Sequence, residues 1–331
     1  MNDKTAVTMP GPMGWVPDVG TGRKNEYKRC VEWLYQDRPY TTYAQAMSLA
    51  GLPLITEEWQ DVALWELEAR LLGSVLPAHY QRIGSCVGQG WTKALEDQIL
   101  VDIASGEREM WPGKLAVAFI YAFSRCEVGG GRLGNEDGSL GVWAAEAAAK
   151  HGVLPRKFEG LKYDLSGDDS MCKEWGGRRE GVPSELEPQA AIHVGQNIAM
   201  IKTAEEIVSA GQAWRSIPVC SNRGFTMTRD KYGMCSPKGS WNHCMLWRGV
   251  LKIKHPQHPG GRVVIPNQQS WGPSPDGPTR VTLQSGREIE LAEGVFLIDI
   301  EVGAKMASQE DTHVVDGVRG WDRPKLDFLL G

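Results

Sequence analysis

The sequence predicts an α+β fold, in which a helical first half and an antiparallel sheet in the second half enclose a cleft. Apolar residues recur at helical spacing through the first half of the chain. The second half holds short β-branched and apolar runs that Pro and Gly turns separate. With 41% hydrophobic and 23% charged residues over 331 positions, the composition is ordinary for a globular protein. Because helices and strands fall in separate parts of the chain, we expect a functional site between them.

Charge and composition narrow the classes of function. A formal net charge of -5 offers no general attraction for nucleic acid or anionic lipid, so neither is expected as a partner. No run of apolar residues is long enough to span a membrane. Residues 1–20 are polar and rich in Pro and Gly, unlike a secretory signal, which favours a cytoplasmic location over secretion. The 7 cysteines include no CxxC pair and favour reduced thiols, and no metal or cofactor is expected.

The first half is predicted to contain an arm, a helical extension and a helical lobe. Residues 1–25 form the arm, 26–74 the extension and about 75–163 the lobe. In the extension, Thr56 is a candidate N-cap for a helix over Trp59–Leu72. Within the lobe the predicted helices are Ser85–Ala104, Ala116–Arg125 and Val142–His151, the last closed by Gly152.

The second half is predicted to form a β lobe. A polar segment at about 164–190 is interpreted as a long surface loop, the β lobe as about 191–300, and 301–331 as a C-terminal tail with an apolar end at Phe328–Leu330. The predicted strands are Ile217–Cys220, Cys244–Ile253, Arg262–Ile265, Arg280–Leu283, Glu288–Leu291 and Gly294–Ile300.

Three pieces of sequence carry possible chemistry. Cys86 follows the turn Ile83–Ser85 and opens a helix, where unpaired N–H groups and the helix dipole favour a thiolate. His243 begins an apolar run, so a strand-initial imidazole could reach across the cleft and take the thiol proton. The polar stretch Pro266–Gly272 follows a strand and offers side-chain amides that could orient the imidazole. Taken alone, a lone cysteine is more often a buried apolar residue.

The order of these pieces resembles the papain-like cysteine peptidases of the C1 type, especially their prokaryotic and phage branch. The resemblance covers about residues 75–300 and implies a two-lobed fold with the active-site cleft between a helical lobe and a β-sheet or barrel lobe. Its motifs are Gly84–Gly88, Phe119–Tyr121 with Arg125, Asp137–Ser139, Ala147–Val153, His243, Gln269–Gly272 and Gly294–Ile298.

The resemblance also implies roles for individual residues. Cys86 matches the nucleophile and His243 the general base. The family has Asn before Ser-Trp-Gly, whereas this chain has Gln269 there, and strand alternation would place Asn267 on the same face.

The family's oxyanion donor is a Gln six residues before the nucleophile. Tyr80 occupies that position here and Gln81 follows it, so either could donate.

Two functions follow from these observations. The first is a papain-like cysteine peptidase or amide hydrolase acting on a peptide or protein. The second is a phage virion structural or adaptor protein that uses the same fold as a scaffold, with neighbouring virion proteins as partners. The departures from the family's pattern at Gln269 and Tyr80 favour the second function, while the matching Cys86 and His243 favour the first.

Overall fold

A computed structural model describes residues 13–16, 24–106, 110–158, 160–177, 180–272 and 275–321. Most of the helices lie in the first half of the chain. A π-helical turn over Ser124–Val128 follows the helix that ends at Phe123. The α-helices are α1 (Lys24–Tyr35), α2 (Tyr43–Leu49), α3 (Leu64–Leu72), α4 (Cys86–Ala104), α5 (Val117–Phe123), α6 (Gly141–Lys150), α7 (Asp168–Gly177), α8 (Glu187–Ala190), α9 (Ala204–Gln212) and α10 (Ile300–Ala307).

The strands form one antiparallel sheet and two small pairs. Neighbouring strands of the sheet follow the order β1-β5-β6-β4-β3, and β9 also pairs with β6. The pairs are β10 with β2 and β7 with β8. The strands are β1 (Val62–Ala63), β2 (Ala199–Met200), β3 (Ile217–Phe225), β4 (Pro237–Trp247), β5 (Gly249–His255), β6 (His258–Gln268), β7 (Arg280–Thr282), β8 (Glu288–Glu290), β9 (Val295–Asp299) and β10 (His313–Val314).

Helix α4 joins the helices to the sheet and is buried on all sides. Every residue from Cys86 to Val101 is buried, as expected for a helix enclosed by other elements. Two glycines permit this close packing. A Cβ at Gly88 would lie 3.0 Å from Cβ of Tyr121 on α5, and one at Gly90 would lie 3.0 Å from Sγ of Cys244 on β4. Helix α4 therefore lies directly against the strand that carries His243.

A buried cluster of charges anchors α4 to α3 and the sheet. Arg248, which joins β4 to β5, donates to Asp97 at 2.7 and 2.9 Å and to Glu68 at 2.9 Å. Lys93 pairs with the same two carboxylates, each at 3.0 Å, and with Glu96 at 3.4 Å. Because buried charges are costly unless they are paired, this cluster holds α3, α4 and the strands in one arrangement.

The predicted α+β arrangement is confirmed, and one helix boundary is wrong. Helix α3 begins at Leu64, whereas the prediction placed its start near Trp59 with Thr56 as the N-cap. Residues Val62 and Ala63 instead pair with Val250 and Gly249 of β5. Strand pairing with a distant part of the chain therefore overrides the helical periodicity.

Several other boundaries also differ from the predictions. The segment 164–190, predicted as a loop, contains α7 and α8. The single strand predicted over Cys244–Ile253 is two strands, because β4 ends at Trp247 and β5 begins at Gly249, whose φ of 117° favours glycine. Strand β6 extends to Gln268, beyond its predicted end at Ile265.

The predicted arm and tail each contain packed residues. In the predicted arm, Trp15 is buried. The region predicted to be a tail contains β10 and nearly all of α10. The apolar end at Phe328–Leu330 lies outside the described residues. Within those residues, the helices are all too short or too polar to cross a membrane.

Candidate active site

Cys86 is the first residue of α4, as the sequence predicts. Its sulfur is fully buried and accepts a hydrogen bond from the backbone N–H of Cys244 at 3.3 Å, and the backbone amides of Gly14 and Val87 also favour its charged form. These donors would stabilise a thiolate. Burial acts in the opposite direction and dominates, raising the pKa of the Cys86 thiol well above its usual range. In this structure Cys86 is therefore a neutral thiol.

His243 lies within β4, whereas the prediction placed it at the start of a strand. The strand begins six residues earlier, at Pro237. The imidazole is fully buried and stacks on the ring of Trp271, with 4.0 Å between ring centroids and an interplanar angle of 18°. Neither ring nitrogen has a hydrogen-bond partner among the described residues. Burial lowers the pKa of His243 to about 3, so the ring is neutral.

The structure brings the start of α4 against the strand that carries His243. The donor to Cys86 Sγ is the backbone N–H of Cys244, which directly follows His243 in β4. The helix N-terminus and the strand therefore meet at this point, across more than 150 residues of sequence.

The strand register separates the two candidate amides. Strands β4 and β6 pair Leu246 with Gln268 and Trp247 with Asn267. Continued in both directions, this register sets Trp271 opposite His243, in agreement with the stacked rings. Gln269 is then diagonal to His243, within reach of a long side chain, whereas Asn267 is farther along the strand by two more residues, about 7 Å.

Contacts of the two amides agree with this register. Asn267 is fully buried, and its Nδ2 donates to Met245 Sδ at 3.2 Å. Gln269 is buried beyond the end of β6, where its backbone N–H donates to Gly294. Of the two, Gln269 lies nearer to His243 in this register.

The two candidate oxyanion donors differ in burial, because the side chain of Gln81 points into the protein and that of Tyr80 points to solvent. Gln81 is buried; its Nε2 donates to the carbonyl of Ile83 at 3.0 Å, and its Oε1 accepts from the hydroxyl of Ser270. Tyr80 is 62% exposed, and its ring lies against Gly272. Gln81 therefore joins the turn before Cys86 to the segment that carries Gln269, and Tyr80 faces solvent.

A segment of the arm, Met13–Val16, covers the two candidate catalytic residues. The backbone N–H of Trp15 donates to the carbonyl of Asn242 at 3.1 Å, next to His243. On the other side, Ser139 accepts from the N–H of Val16 at 3.0 Å and donates to the carbonyl of Gly14 at 2.7 Å. The segment is thus hydrogen-bonded to both walls of the site and fills the space above Cys86.

Glycine makes this close approach possible. A Cβ at Gly14 would lie 2.0 Å from the carbonyl oxygen of Gly84 in the turn before Cys86. A Cβ at Gly138, which has a φ of 105°, would lie 2.7 Å from the carbonyl oxygen of Gly14. The covering segment therefore lies in direct backbone contact with the turn that positions the thiol.

Sequence reasoning missed two residues beside the site, Trp15 and Asp311. The indole Nε1 of Trp15 donates to Asp311 Oδ2 at 2.8 Å, across 296 residues of sequence. The same oxygen accepts the backbone N–H of Gly141 at 2.8 Å. Neither residue belongs to a recognisable motif, so only the folded structure shows that they meet. Among the described residues, no group of three or more His, Cys, Asp or Glu side chains is placed to hold a metal ion.

Comparison with solved structures identifies the class of fold. The helical part and the antiparallel sheet match a papain-like fold, and the fold prediction is confirmed. The chain is similar to xylellain, a cysteine protease from Xylella fastidiosa, at 16% identity and a TM-score of 0.53, over 95% of this chain and 100% of that one. No protein-family model and no curated protein matches the sequence.

Two other solved structures align with the chain at lower similarity. One is digestive procathepsin L2 from Tenebrio molitor, at 14% identity and a TM-score of 0.47, over 81% of this chain and 71% of that one. The other is procathepsin B from Trypanosoma congolense, at 10% identity and a TM-score of 0.47, over 92% of this chain and 100% of that one.

Proposed function

We propose that this protein is a cysteine peptidase, or a closely related amide hydrolase, that acts on peptide or protein substrates. The observation that carries the proposal is the position of Cys86: it begins a buried helix, and its sulfur accepts from the residue next to His243. A helix N-terminus and an adjacent imidazole are the two groups that activate a thiol. The similarity in fold to a cysteine protease supports the same class of reaction.

Each residue of the site has a role in the proposed reaction. Cys86 attacks the amide carbonyl after His243 takes its proton, and the imidazolium then donates that proton to the leaving amine. Gln269 is a positioning residue that holds the imidazole, with Asn267 as the alternative. The Cys86 backbone N–H and a side-chain donor stabilise the oxyanion. For that donor we favour Gln81, which is buried beside the turn, over the exposed Tyr80.

The described structure is a closed form of this site. The segment Met13–Val16 occupies the space above the thiol, and both Cys86 and His243 are neutral beneath it. A substrate carbonyl can reach the sulfur only after the segment leaves. Water then enters, the penalty on both charged forms decreases, and the thiolate–imidazolium pair can form.

The test is the pH dependence of Cys86 alkylation by iodoacetamide, located by mass spectrometry. The protein is the full chain with Trp15→Ala, which loosens the segment, compared with the same chain carrying His243→Ala as well. We expect labelling that persists below pH 7 with His243 present and follows a free-thiol pKa of about 8.5 without it. Hydrolysis of an unfolded protein substrate should disappear with Cys86→Ser. Identical labelling profiles in the two variants would contradict the proposal.

A virion structural or adaptor protein is the second candidate function. It is favoured by one observation: the segment Met13–Val16 is hydrogen-bonded to both walls of the site and lies against the turn before Cys86. In that case the segment is a permanent part of the fold, and the full chain and its Trp15→Ala variant both lack hydrolytic activity. A phage origin and a virion location belong to this proposal, and a location in the cytoplasm of the host cell belongs to either.

A further inference from the structure

Three cysteines that lie far apart in the sequence meet at the candidate active site. Cys86 begins α4, Cys220 lies in β3 and Cys244 lies in β4, and all three are buried. Only Cys86 has a role in the proposed hydrolysis. The other two thiols therefore lie beside a nucleophile without taking part in its reaction.

Cys220 and Cys244 face each other across neighbouring strands. The register pairs them directly, yet each backbone N–H points away from the other strand: that of Cys220 donates to the carbonyl of Asp311 at 3.2 Å, and that of Cys244 to Cys86 Sγ at 3.3 Å. The two cysteines are thus a non-hydrogen-bonded pair, in which the Cα atoms of an antiparallel sheet are about 4.5 Å apart. A disulfide spans Cα separations of about 4.4–6.8 Å, so this pair can form one without moving the strands.

The sulfur of Cys244 also lies against the face of α4 that carries Cys86. Gly90 follows Cys86 by four residues, so the two share a face of the helix, with Cβ positions about 5–6 Å apart. A Cβ at Gly90 would lie 3.0 Å from Cys244 Sγ. The Cys244 sulfur therefore has Cys220 on one side and the start of α4 on the other.

We propose that these three cysteines form an oxidation site for hydroperoxides, in which Cys86 is oxidised first and the oxidation ends as a disulfide between Cys220 and Cys244. The inference rests on the proposed function, because the reaction begins with the reactive thiolate of Cys86 in the open form of the site. Its consequence is that the nucleophile returns to the thiol form after each oxidation.

The reaction has three steps. First, the Cys86 thiolate attacks one oxygen of the hydroperoxide; the O–O bond breaks, the sulfur loses two electrons and becomes a sulfenic acid, and the other oxygen takes up a proton and leaves as an alcohol or as water. Second, the Cys244 sulfur attacks the Cys86 sulfur, and the sulfenic hydroxyl leaves as water with the Cys244 proton. Third, the Cys220 sulfur attacks the Cys244 sulfur, the Cys86–Cys244 bond breaks, and Cys86 takes up the Cys220 proton.

Packing determines that oxidation enters at Cys86. A Cβ at Gly141 would lie 2.8 Å from Cys220 Sγ, so the sulfurs of Cys220 and Cys244 are packed against α6 and α4, which stay in place when the covering segment leaves. Burial, and then the neighbouring side chain of Cys244, raise the pKa of Cys220 well above its usual range. Because hydroperoxides react with thiolates, the neutral Cys220 is not a direct target.

The test is disulfide mapping after treatment with hydrogen peroxide. The protein is the full chain with Trp15→Ala, which loosens the covering segment. It is treated at pH 7, blocked with iodoacetamide, digested without reductant and analysed by mass spectrometry. We expect a Cys220–Cys244 linked peptide that dithiothreitol separates, and a Cys86 that carries the iodoacetamide label. Cys86 recovered as sulfinic acid, with no disulfide at Cys244, would overturn the proposal.

Substitutions should stop the reaction at different steps. Cys220→Ser should leave a Cys86–Cys244 disulfide, and in Cys244→Ser the Cys86 sulfur should gain two oxygens and become a sulfinic acid that dithiothreitol does not reduce. Cys86→Ser should leave Cys220 and Cys244 unlinked. Cys172→Ser, at a buried cysteine of α7, is the matched control and should give the same products as the Trp15→Ala chain. A Cys220–Cys244 disulfide that forms equally well without Cys86 would contradict the proposed order.

Hydrolysis of an unfolded protein substrate by the reduced Trp15→Ala chain separates the two proposals. Hydrolysis, with Cys86 oxidised to sulfinic acid and no disulfide, supports the peptidase and contradicts the oxidation site. A disulfide that depends on Cys86, without hydrolysis, supports the oxidation site and contradicts the peptidase. A Cys86 that reacts with neither peroxide nor iodoacetamide contradicts both.

Discussion

Trp15→Ala should open the site and expose Cys86 to reagents. The indole anchors the covering segment through its burial and its hydrogen bond to Asp311. The other contacts of the segment are backbone hydrogen bonds, an N–H of Asn242 that donates to Met13 Sδ at 3.2 Å, and the packing of the half-buried Val16. Alanine keeps those backbone groups and removes the anchor. The substitution therefore changes the equilibrium between the closed and open forms without altering Cys86 or His243.

The magnitude follows from what the anchor contributes. Truncating a buried Trp to Ala costs about 3–5 kcal/mol. The lower end, about 3 kcal/mol, applies here because the vacated pocket opens with the segment and is not sealed as a cavity. Since about 1.4 kcal/mol corresponds to a factor of ten, the open form should become roughly 150-fold more populated.

The assay is the rate at which iodoacetamide labels Cys86 in the full chain at pH 7, followed by mass spectrometry. If the closed form protects the thiol, the labelling rate scales with the open population and should rise by about two powers of ten. Trp59→Ala is the matched control, because Trp59 also donates to a carboxylate, that of Asp61, at 3.0 Å. Equal labelling of the two variants would refute the idea that Met13–Val16 closes the site.

Three further predictions test other parts of the structure. Gly14→Ala would place a Cβ only 2.0 Å from the carbonyl oxygen of Gly84, so the covering segment should be displaced and Cys86 labelling should accelerate. Gly260→Ala is the control and should leave the labelling rate unchanged, because a Cβ at Gly260 meets no atom within 4 Å. Arg248→Met removes one of the two cations that pair with the buried carboxylates of Glu68 and Asp97, and leaves Lys93 as the other. The substitution should lower the free energy of unfolding in urea by about 3 kcal/mol; a loss below about 1 kcal/mol would contradict the role of this cluster. Burial lowers the pKa of both His243 and His313 to about 3, so between pH 6.5 and 3 these two rings bind up to two more protons in the unfolded chain than in the folded one. Stability should therefore fall as pH falls, by up to about 2.7 kcal/mol per pH unit, and His313→Gln should halve that slope; a free energy of unfolding that is constant between pH 7 and 5 would show that these rings are not held neutral.

The secondary-structure positions of Cys86 and His243 could be predicted from sequence in large part, because their signals are local. A turn followed by a helical pattern predicts the position of Cys86 at a helix N-terminus, and α4 begins there. The apolar run after His243 predicts a strand, although β4 begins six residues earlier. Strand alternation also suggests that Asn267 and Gln269 share a face. The choice between them needs the register of β4 against β6, which no local pattern contains.

By itself the sequence determined the α+β class, the helix that begins at Cys86 and the presence of a strand at His243. Side-chain periodicity and helix-end signals depend on near neighbours in the chain, so these features can be predicted locally. Only the tertiary structure decided that Val62 and Ala63 pair with β5, and that Gln81 turns inward while Tyr80 faces solvent. It alone placed Trp15 on Asp311 and the covering segment on Cys86. These contacts join residues far apart in the chain, and their energies depend on burial and on hydrogen bonds that exist only after folding.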